Sequence, residues 1–240
     1  MKKLDLFRNQ SGIINIEEYD YLNIAIVGLG SIGSFLALAL NKLGFKNLIL
    51  IDDDKVEAHN ITTQLYLKKN IGKYKSSILK TSFLSGRITT YTERVSSLSK
   101  IDADIVFICV DTLKQRKLIS KAILDSYSEF NKPTLIIDAR MHRLVFRVFT
   151  IPLENQTLLS NYVKTTMGKE FTGACTEKGI IQNVFVIISV MIEQLKKVIK
   201  GEDYYSTINC DFERLTFINT DLQSKTQIEE EKDDKIQGTS

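Results

Sequence analysis

Gly28, Gly30 and Gly33 stand at the spacing G-x-G-x-x-G, and the chemistry that spacing serves is the holding of a phosphate group. The first glycine permits a tight turn, the second lets backbone N–H groups approach phosphate oxygens, and the third lets a helix pack closely. Asp52 lies nineteen residues beyond Gly33, close to where an acid meets a ribose hydroxyl in such sites. Asp111 comes just after an apolar run from Ile105, at the carboxyl end of an expected strand, where ligands bind in sheets of this type. Together these residues read as a nucleotide site. A merely structural strand–turn–helix would use the same glycines, but apolar runs flank them on both sides as a nucleotide-binding unit requires.

The elements that must position these groups show as short apolar runs alternating with helical stretches. Strands are expected at Asn23 to Val27, Leu48 to Ile51, Ile105 to Cys109 and Thr134 to Ile137, each apolar almost throughout, as parallel strands buried on both faces are. A helix is expected from Ser31 to Leu43, with Ser31 capping its first N–H groups and Gly44 ending it. Arg147 to Ile151 and Thr216 to Asn219 read as later strands with antiparallel pairing, and Val184 to Ile199 as a long helix stopped by Gly201. The fold class is α/β: a Rossmann-like, doubly wound, mostly parallel sheet with antiparallel later strands.

The run Asp52-Asp-Asp-Lys-Val-Glu-Ala-His-Asn60-Ile-Thr-Thr-Gln64, then Gly72-Lys-Tyr-Lys75, then Val110-Asp-Thr112, resembles the ATP site of the ThiF/MoeB/HesA superfamily. These are the adenylating enzymes that activate ubiquitin-like and sulfur-carrier proteins. The resemblance extends from about Leu22 to Leu222 and includes Gly173-Ala-Cys-Thr-Glu-Lys-Gly-Ile180, similar to the family's cysteine-bearing stretch ahead of a long helix. It implies an ATP-dependent adenylyltransferase acting on the C-terminal carboxylate of a ubiquitin-like protein, a sulfur-carrier protein or a peptide. By the same resemblance Asp52, together with Asp54, takes the ribose, Lys75 reaches the phosphates, Asp111 coordinates Mg2+, and Asn60 and Gln64 line the pocket. Taken alone, Lys75 would read as a solvated charge, and Asp53 and Lys73 read as surface charge.

One departure stands out. The resembled family usually reads Asn-x-x-Arg-Gln, and here Thr63 occupies the arginine position. Another cation is then needed against the triphosphate. Arg8, in Phe7-Arg-Asn-Gln10, resembles the N-terminal arginine that many members reach across a dimer interface; Arg140, in Asp138-Ala-Arg-Met-His-Arg143, resembles a run on the substrate side of small bacterial members. Cys175 has two readings: an acyl carrier, since a thiolate both attacks and leaves readily, or a residue that merely starts the helix. Cys109 reads as a buried small hydrophobe within a strand, and Cys210 as part of a late polar segment.

Composition bounds the remainder. With 240 residues, 43% of them apolar, the chain can bury one substantial core, assigned here to an adenylation domain over 1–222 followed by a polar, disordered tail over 223–240. A net charge of +3 from 32 basic and 29 acidic residues forms no basic block for nucleic acid or a membrane surface. No apolar run is long enough to span a bilayer, and the N-terminus lacks a signal peptide's apolar centre, so a cytoplasmic protein is expected. The two C-x-x-C pairs that hold zinc in many relatives are missing, and no zinc site is expected. A compact homodimer is the expected assembly. Two other readings remain open: a catalytically inert partner subunit, which Thr63 favours, and an NAD-dependent oxidoreductase, which would share the glycines and Asp52.

Overall fold

The computed structural model describes residues 7–96, 99–130, 132–167 and 181–223. Its strands are β1 (Asn23–Val27), β2 (Asn47–Ile51), β3 (Arg87–Tyr91), β4 (Ile105–Ile108), β5 (Leu135–His142), β6 (Val145–Pro152), β7 (Tyr204–Asp211) and β8 (Thr216–Gln223). The helices are α1 (Ser31–Leu43), α2 (Lys75–Ser82), α3 (Leu113–Phe130), α4 (Gln156–Thr166) and α5 (Ile181–Lys200). All eight strands join one sheet in the order β3-β2-β1-β4-β5-β6-β7-β8. Neighbours from β3 to β5 pair parallel, and those from β5 to β8 antiparallel. The expected mixed sheet is therefore present. Strand order reverses between β1 and β4, so the crevice outside their carboxyl ends is the switch point where such sheets bind ligands.

Period-two alternation divides the sheet's side chains between two cores. On one face Ile24, Ile26, Leu48, Leu50, Ile105, Phe107 and Ile137 pack with Leu36 and Leu40 of α1 and with Ile187, Met191 and Leu195 of α5. On the other, Ala25, Val27, Val106, Ile108 and Ile136 pack with Ile119 and Ile123 of α3 and with Leu159 and Tyr162 of α4. Full burial of a Leu or Ile side chain contributes about 1.5–3 kcal/mol, so the two sandwiched faces supply the main drive to fold. They also fix β1, β2 and β4 rigidly, which is what a site at their ends requires.

Several expectations are corrected in detail. The N-cap of α1 is Gly30, with no side-chain cap bond, so Ser31 is the first helical residue and not the cap. The close-packed glycine turn delivers Gly30 to that position, leaving no side chain over the first helical N–H groups. Gly44 does end α1, at φ 112°, a left-handed conformation that glycine adopts without steric cost. Cys210, within its polar segment, is buried on β7, 1% exposed, because alternate side chains of that strand face the core. The expected tail lies outside the described residues except for its first residue, Gln223, which ends β8.

Candidate functional site

The glycine turn is held from both sides. Gly28 sits at φ 90°, and a Cβ on Gly33 would lie 1.9 Å from the Gly28 carbonyl oxygen, so no larger residue fits there without moving backbone. The Asp52 carboxylate accepts the Leu29 N–H at 2.6 Å and the Asp54 N–H at 2.8 Å. The acid that follows β2 thus ties that strand's end to the turn that follows β1. Burial pushes its carboxyl above the usual carboxylate range, opposed by Lys75 and by the two backbone N–H donors. Each oxygen keeps a further lone pair for an incoming hydroxyl.

A second layer pins residues 60–66 over the turn. Tyr66, almost fully buried, donates its hydroxyl to the Leu29 carbonyl at 2.8 Å, and the Leu65 N–H donates to Ser34 Oγ at 3.2 Å. The Gln64 side chain approaches Gly30: its Nε2 lies 4.0 Å from where a Cβ would stand. Among the described residues its amide oxygen is buried without a hydrogen-bond partner, as expected of a group waiting for a ligand's donor. Asn60 is buried, and its Oδ1 accepts the Glu57 N–H at 2.9 Å, so in this structure it builds the turn beneath Gln64. Thr63 is half-buried in the same segment.

Lys75 reaches the site because the chain doubles back after β2. The Val56 N–H donates to Lys73, the Gly72 N–H to Val56 and the Lys75 N–H to Asp54, at 2.9, 2.8 and 3.0 Å. That pairing seats the first residue of α2 against the acid turn, where Lys75 Nζ meets Asp54 Oδ2 at 2.8 Å. Lys75 is buried, 6% exposed, and is not the solvated charge that its residue type alone suggests. Burying its stem is tolerable because the ammonium keeps a carboxylate partner. Asp54 therefore pairs with Lys75, while Asp52 bonds the turn.

Asp111 is exposed between β4 and α3. It is positioned from both sides: the Cys109 N–H continues the ladder to Val27 at 2.8 Å, and Thr112 Oγ1 accepts the Gln115 N–H at 3.2 Å at the start of α3. Beneath it lies a group that sequence reasoning missed. The Arg116 guanidinium bonds the Val110 carbonyl, donates to the Ala139 carbonyl at 2.9 Å and ion-pairs with Asp138, which is fully buried. Burial pulls that guanidinium down to about 10, so it stays charged at neutral pH. Arg140 takes Asp138's other oxygen at 2.9 Å, donates to Thr165 and stacks over Phe149 with its guanidinium 4.5 Å from the ring centre.

The structure brings Gly28, Gly30, Gly33, Asp52, Asp54, Asn60, Gln64 and Lys75 together, with Asp111 across the switch-point crevice. It does not bring Arg8 to them. Phe7 packs at Gly44, and Gln10 Nε2 bonds the Lys42 carbonyl at 3.2 Å, which holds this segment at the far end of α1. That helix has 13 residues, about 20 Å of separation from the glycine turn. Cys175 lies outside the described residues. Cys109 lies just past the end of β4, with its thiol pushed up to about 12 by burial, which keeps it a thiol rather than a thiolate.

Mg2+ prefers hard oxygen donors, and the site offers them. The carboxylates of Asp52, Asp53 and Asp54 lie within 4.8 Å of one another, Asp53 being ion-paired with Arg94, and Asp111 is exposed just after β4. The donor set fits a magnesium–nucleotide complex.

Fold and site define a Rossmann-like α/β protein whose acids and lysine are gathered around a glycine turn. The ThiF family profile matches residues 10–235, and the chain belongs to that family. It is 30% identical over 153 residues to the adenylyltransferase and sulfurtransferase uba4 of Neosartorya fischeri, covering 63% of this chain and 28% of that protein. It is 28% identical over 130 residues to ubiquitin-like modifier-activating enzyme 5 of Drosophila virilis, covering 45% and 32%. The chain thus spans about a third of the length of these curated relatives. Among solved structures it is similar to E. coli MccB with ATP, at a TM-score of 0.62 and 16% identity over 87% of this chain and 66% of MccB. That last likeness concerns the fold.

Proposed function

We propose that this chain uses ATP to adenylate a carboxylate, and that the carboxylate is the C-terminal group of a ubiquitin-like protein, a sulfur-carrier protein or a peptide. The observation that carries the reading is the gathering of Asp52, Gln64, Lys75 and Asp111 at the switch point of a ThiF-family chain. Relatives named as a ubiquitin-like modifier-activating enzyme and an adenylyltransferase support it, as does a fold neighbour captured with ATP.

In the reaction a carboxylate oxygen attacks the α-phosphorus, the bond to the bridging oxygen breaks, and pyrophosphate leaves as the acyl adenylate forms. The residues divide the work. Asp52 holds the ribose, the uncapped N–H groups at the start of α1 face phosphate oxygens, and Lys75 exchanges Asp54 for phosphate. Asp111 and Asp54 would hold Mg2+, which would neutralise charge on the leaving pyrophosphate. Cys175 then takes the acyl group as a thioester in the fullest version of the scheme, or as an acyl disulfide where a persulfide donor has first placed a sulfur on it, with AMP leaving in either case, and a homodimer would let Arg8 act from a second copy.

The test is ATP–pyrophosphate exchange with a candidate acceptor peptide, beside thermal shifts with ATP·Mg2+ and with NAD. Stabilisation by ATP and not NAD is expected, with exchange lost in Asp111→Ala. Stabilisation by NAD alone would overturn adenylation. Thr63 favours one further reading, an inert partner subunit, which predicts ATP stabilisation without exchange.

A further inference from the structure

Arg94 lies in residues 92–96, which leave β3 and cross the carboxyl edge of the sheet. On one side Arg94 donates from Nε to Asp53 Oδ1 at 3.2 Å, with its terminal nitrogen 3.1 Å from Oδ2. On the other, Gln115 of α3 donates to the Val95 carbonyl at 2.6 Å. The segment therefore links the end of β2 to the helix that follows β4, with Val95 buried in the core that holds Ile51 and Ile119. The Asp53 carboxylate lies within 4.8 Å of those of Asp52 and Asp54, so Arg94 and Lys75 clasp one acid turn from two sides. Asp54 and Asp111 also act on the Arg94 guanidinium electrostatically, as they do on a group standing between the ends of β2 and β4.

We propose that Arg94 is the second phosphate-binding cation of the nucleotide site, held on Asp53 until the polyphosphate of ATP takes that carboxylate's place. The proposal rests on the adenylation reading and supplies the positive charge that Thr63 leaves out. Arg116 and Arg140 are engaged with Asp138 and nearby carbonyl or hydroxyl groups. Arg94 is 64% exposed, and an exposed ion pair holds its partners weakly. Exchanging Asp53 for phosphate costs little and gains a charge-assisted, two-pronged contact for which the planar guanidinium is shaped. Lys75 could not replace it, because an ammonium offers a point charge and no fork.

The experiment measures binding of ATP·Mg2+ and of adenosine at fixed ionic strength by calorimetry. The proteins compared are the wild type, Arg94→Ala and Asp53→Asn. Arg94→Ala should fold normally, bind ATP at least tenfold more weakly and bind adenosine within twofold of the wild type. Asp53→Asn, which frees the guanidinium, should bind ATP as tightly as the wild type or more tightly. A loop latch without phosphate contact would make the two variants behave alike, and that result overturns the proposal. So does unchanged ATP binding in Arg94→Ala, which leaves adenylation standing. If the wild type binds neither ATP nor adenosine, the nucleotide reading and this proposal fall together.

Discussion

Asp138→Asn tests how much of the fold depends on the charge cluster beneath the nucleotide edge. Asp138 is fully buried between two guanidinium groups, and the Arg116 side chain is 5% exposed. The substitution keeps the shape and removes the charge, so Arg116 remains charged and desolvated against a neutral amide. Breaking a buried pair from one side costs about 3–5 kcal/mol. Arg140 adds little to this, because its side chain is 20% exposed and can turn toward water. Each kcal/mol shifts the melting midpoint of a chain of about 150–250 residues by about 2–4 °C. The expected loss is then roughly 6–20 °C. Thermal melts with a parallel urea titration measure it. Removing both charges, in Arg116→Met with Asp138→Leu, should recover most of the loss, since a buried pair is seldom more stable than apolar packing. A loss under about 1 kcal/mol, typical of an exposed pair, would refute the reasoning. So would a double variant no better than Asp138→Asn.

Three further outcomes follow from the site. Gly33→Ala should cost about 3 kcal/mol or more and abolish ATP-dependent stabilisation, because its Cβ would lie 1.9 Å from the Gly28 carbonyl oxygen; a melt close to wild type would count against the close turn. Asp52 titrates above its ordinary 3.8 in the folded state, so the folded protein binds that proton more tightly and stability falls as pH rises from 3.8 through the raised value. Asp52→Asn should flatten that part of the urea stability–pH curve, and an unchanged slope would remove Asp52 as its cause. Cys175→Ala should retain pyrophosphate exchange and lose any reductant-sensitive adduct with the acceptor, because no enzyme thiol enters before the adenylate is complete; product formation at an undiminished rate would make this cysteine structural.

The parallel half of the fold was legible because its strands are continuous apolar runs punctuated by glycine. Gly28, Gly33 and Gly44 each mark a backbone requirement that the structure displays. The rest was harder to read for physical reasons. β3 reads Arg-Ile-Thr-Thr-Tyr and β7 reads Tyr-Tyr-Ser-Thr-Ile-Asn-Cys-Asp, with alternating burial on β7, so neither presents an apolar run. An edge strand and a strand in an antiparallel pair bury less than the central parallel strands do. Lys75 was found by resemblance because its burial depends on the doubling back of residues 54–56 and 72–75, which leaves no periodic trace. Arg116 and Asp138 are separated by 22 positions and meet only through the packing of α3 on β5, although an arginine on the apolar face of a helix is itself a signal that a buried partner exists.

The balance of charge at the crevice leads to a last prediction. Asp52, Asp53, Asp54 and Asp111 stand at it, with Lys75 and Arg94 on the acid turn, so an incoming polyphosphate meets several carboxylates. A phosphate oxygen about 5 Å from such a carboxylate meets a repulsion of about 3 kcal/mol at an effective dielectric constant of about 20. Exposure of Asp54 and Asp111 to solvent lowers that figure, which leaves roughly a tenfold effect on affinity as a conservative expectation. ATP should therefore bind at least tenfold more weakly once EDTA removes divalent cations, while adenosine, which carries no phosphate, should bind equally well with and without them. Calorimetry at constant ionic strength separates the two cases. ATP bound equally tightly in EDTA would mean that the acids are neutralised within the protein itself, and that the acid turn serves to bond the glycine loop and Lys75 and not to share a metal ion with the nucleotide.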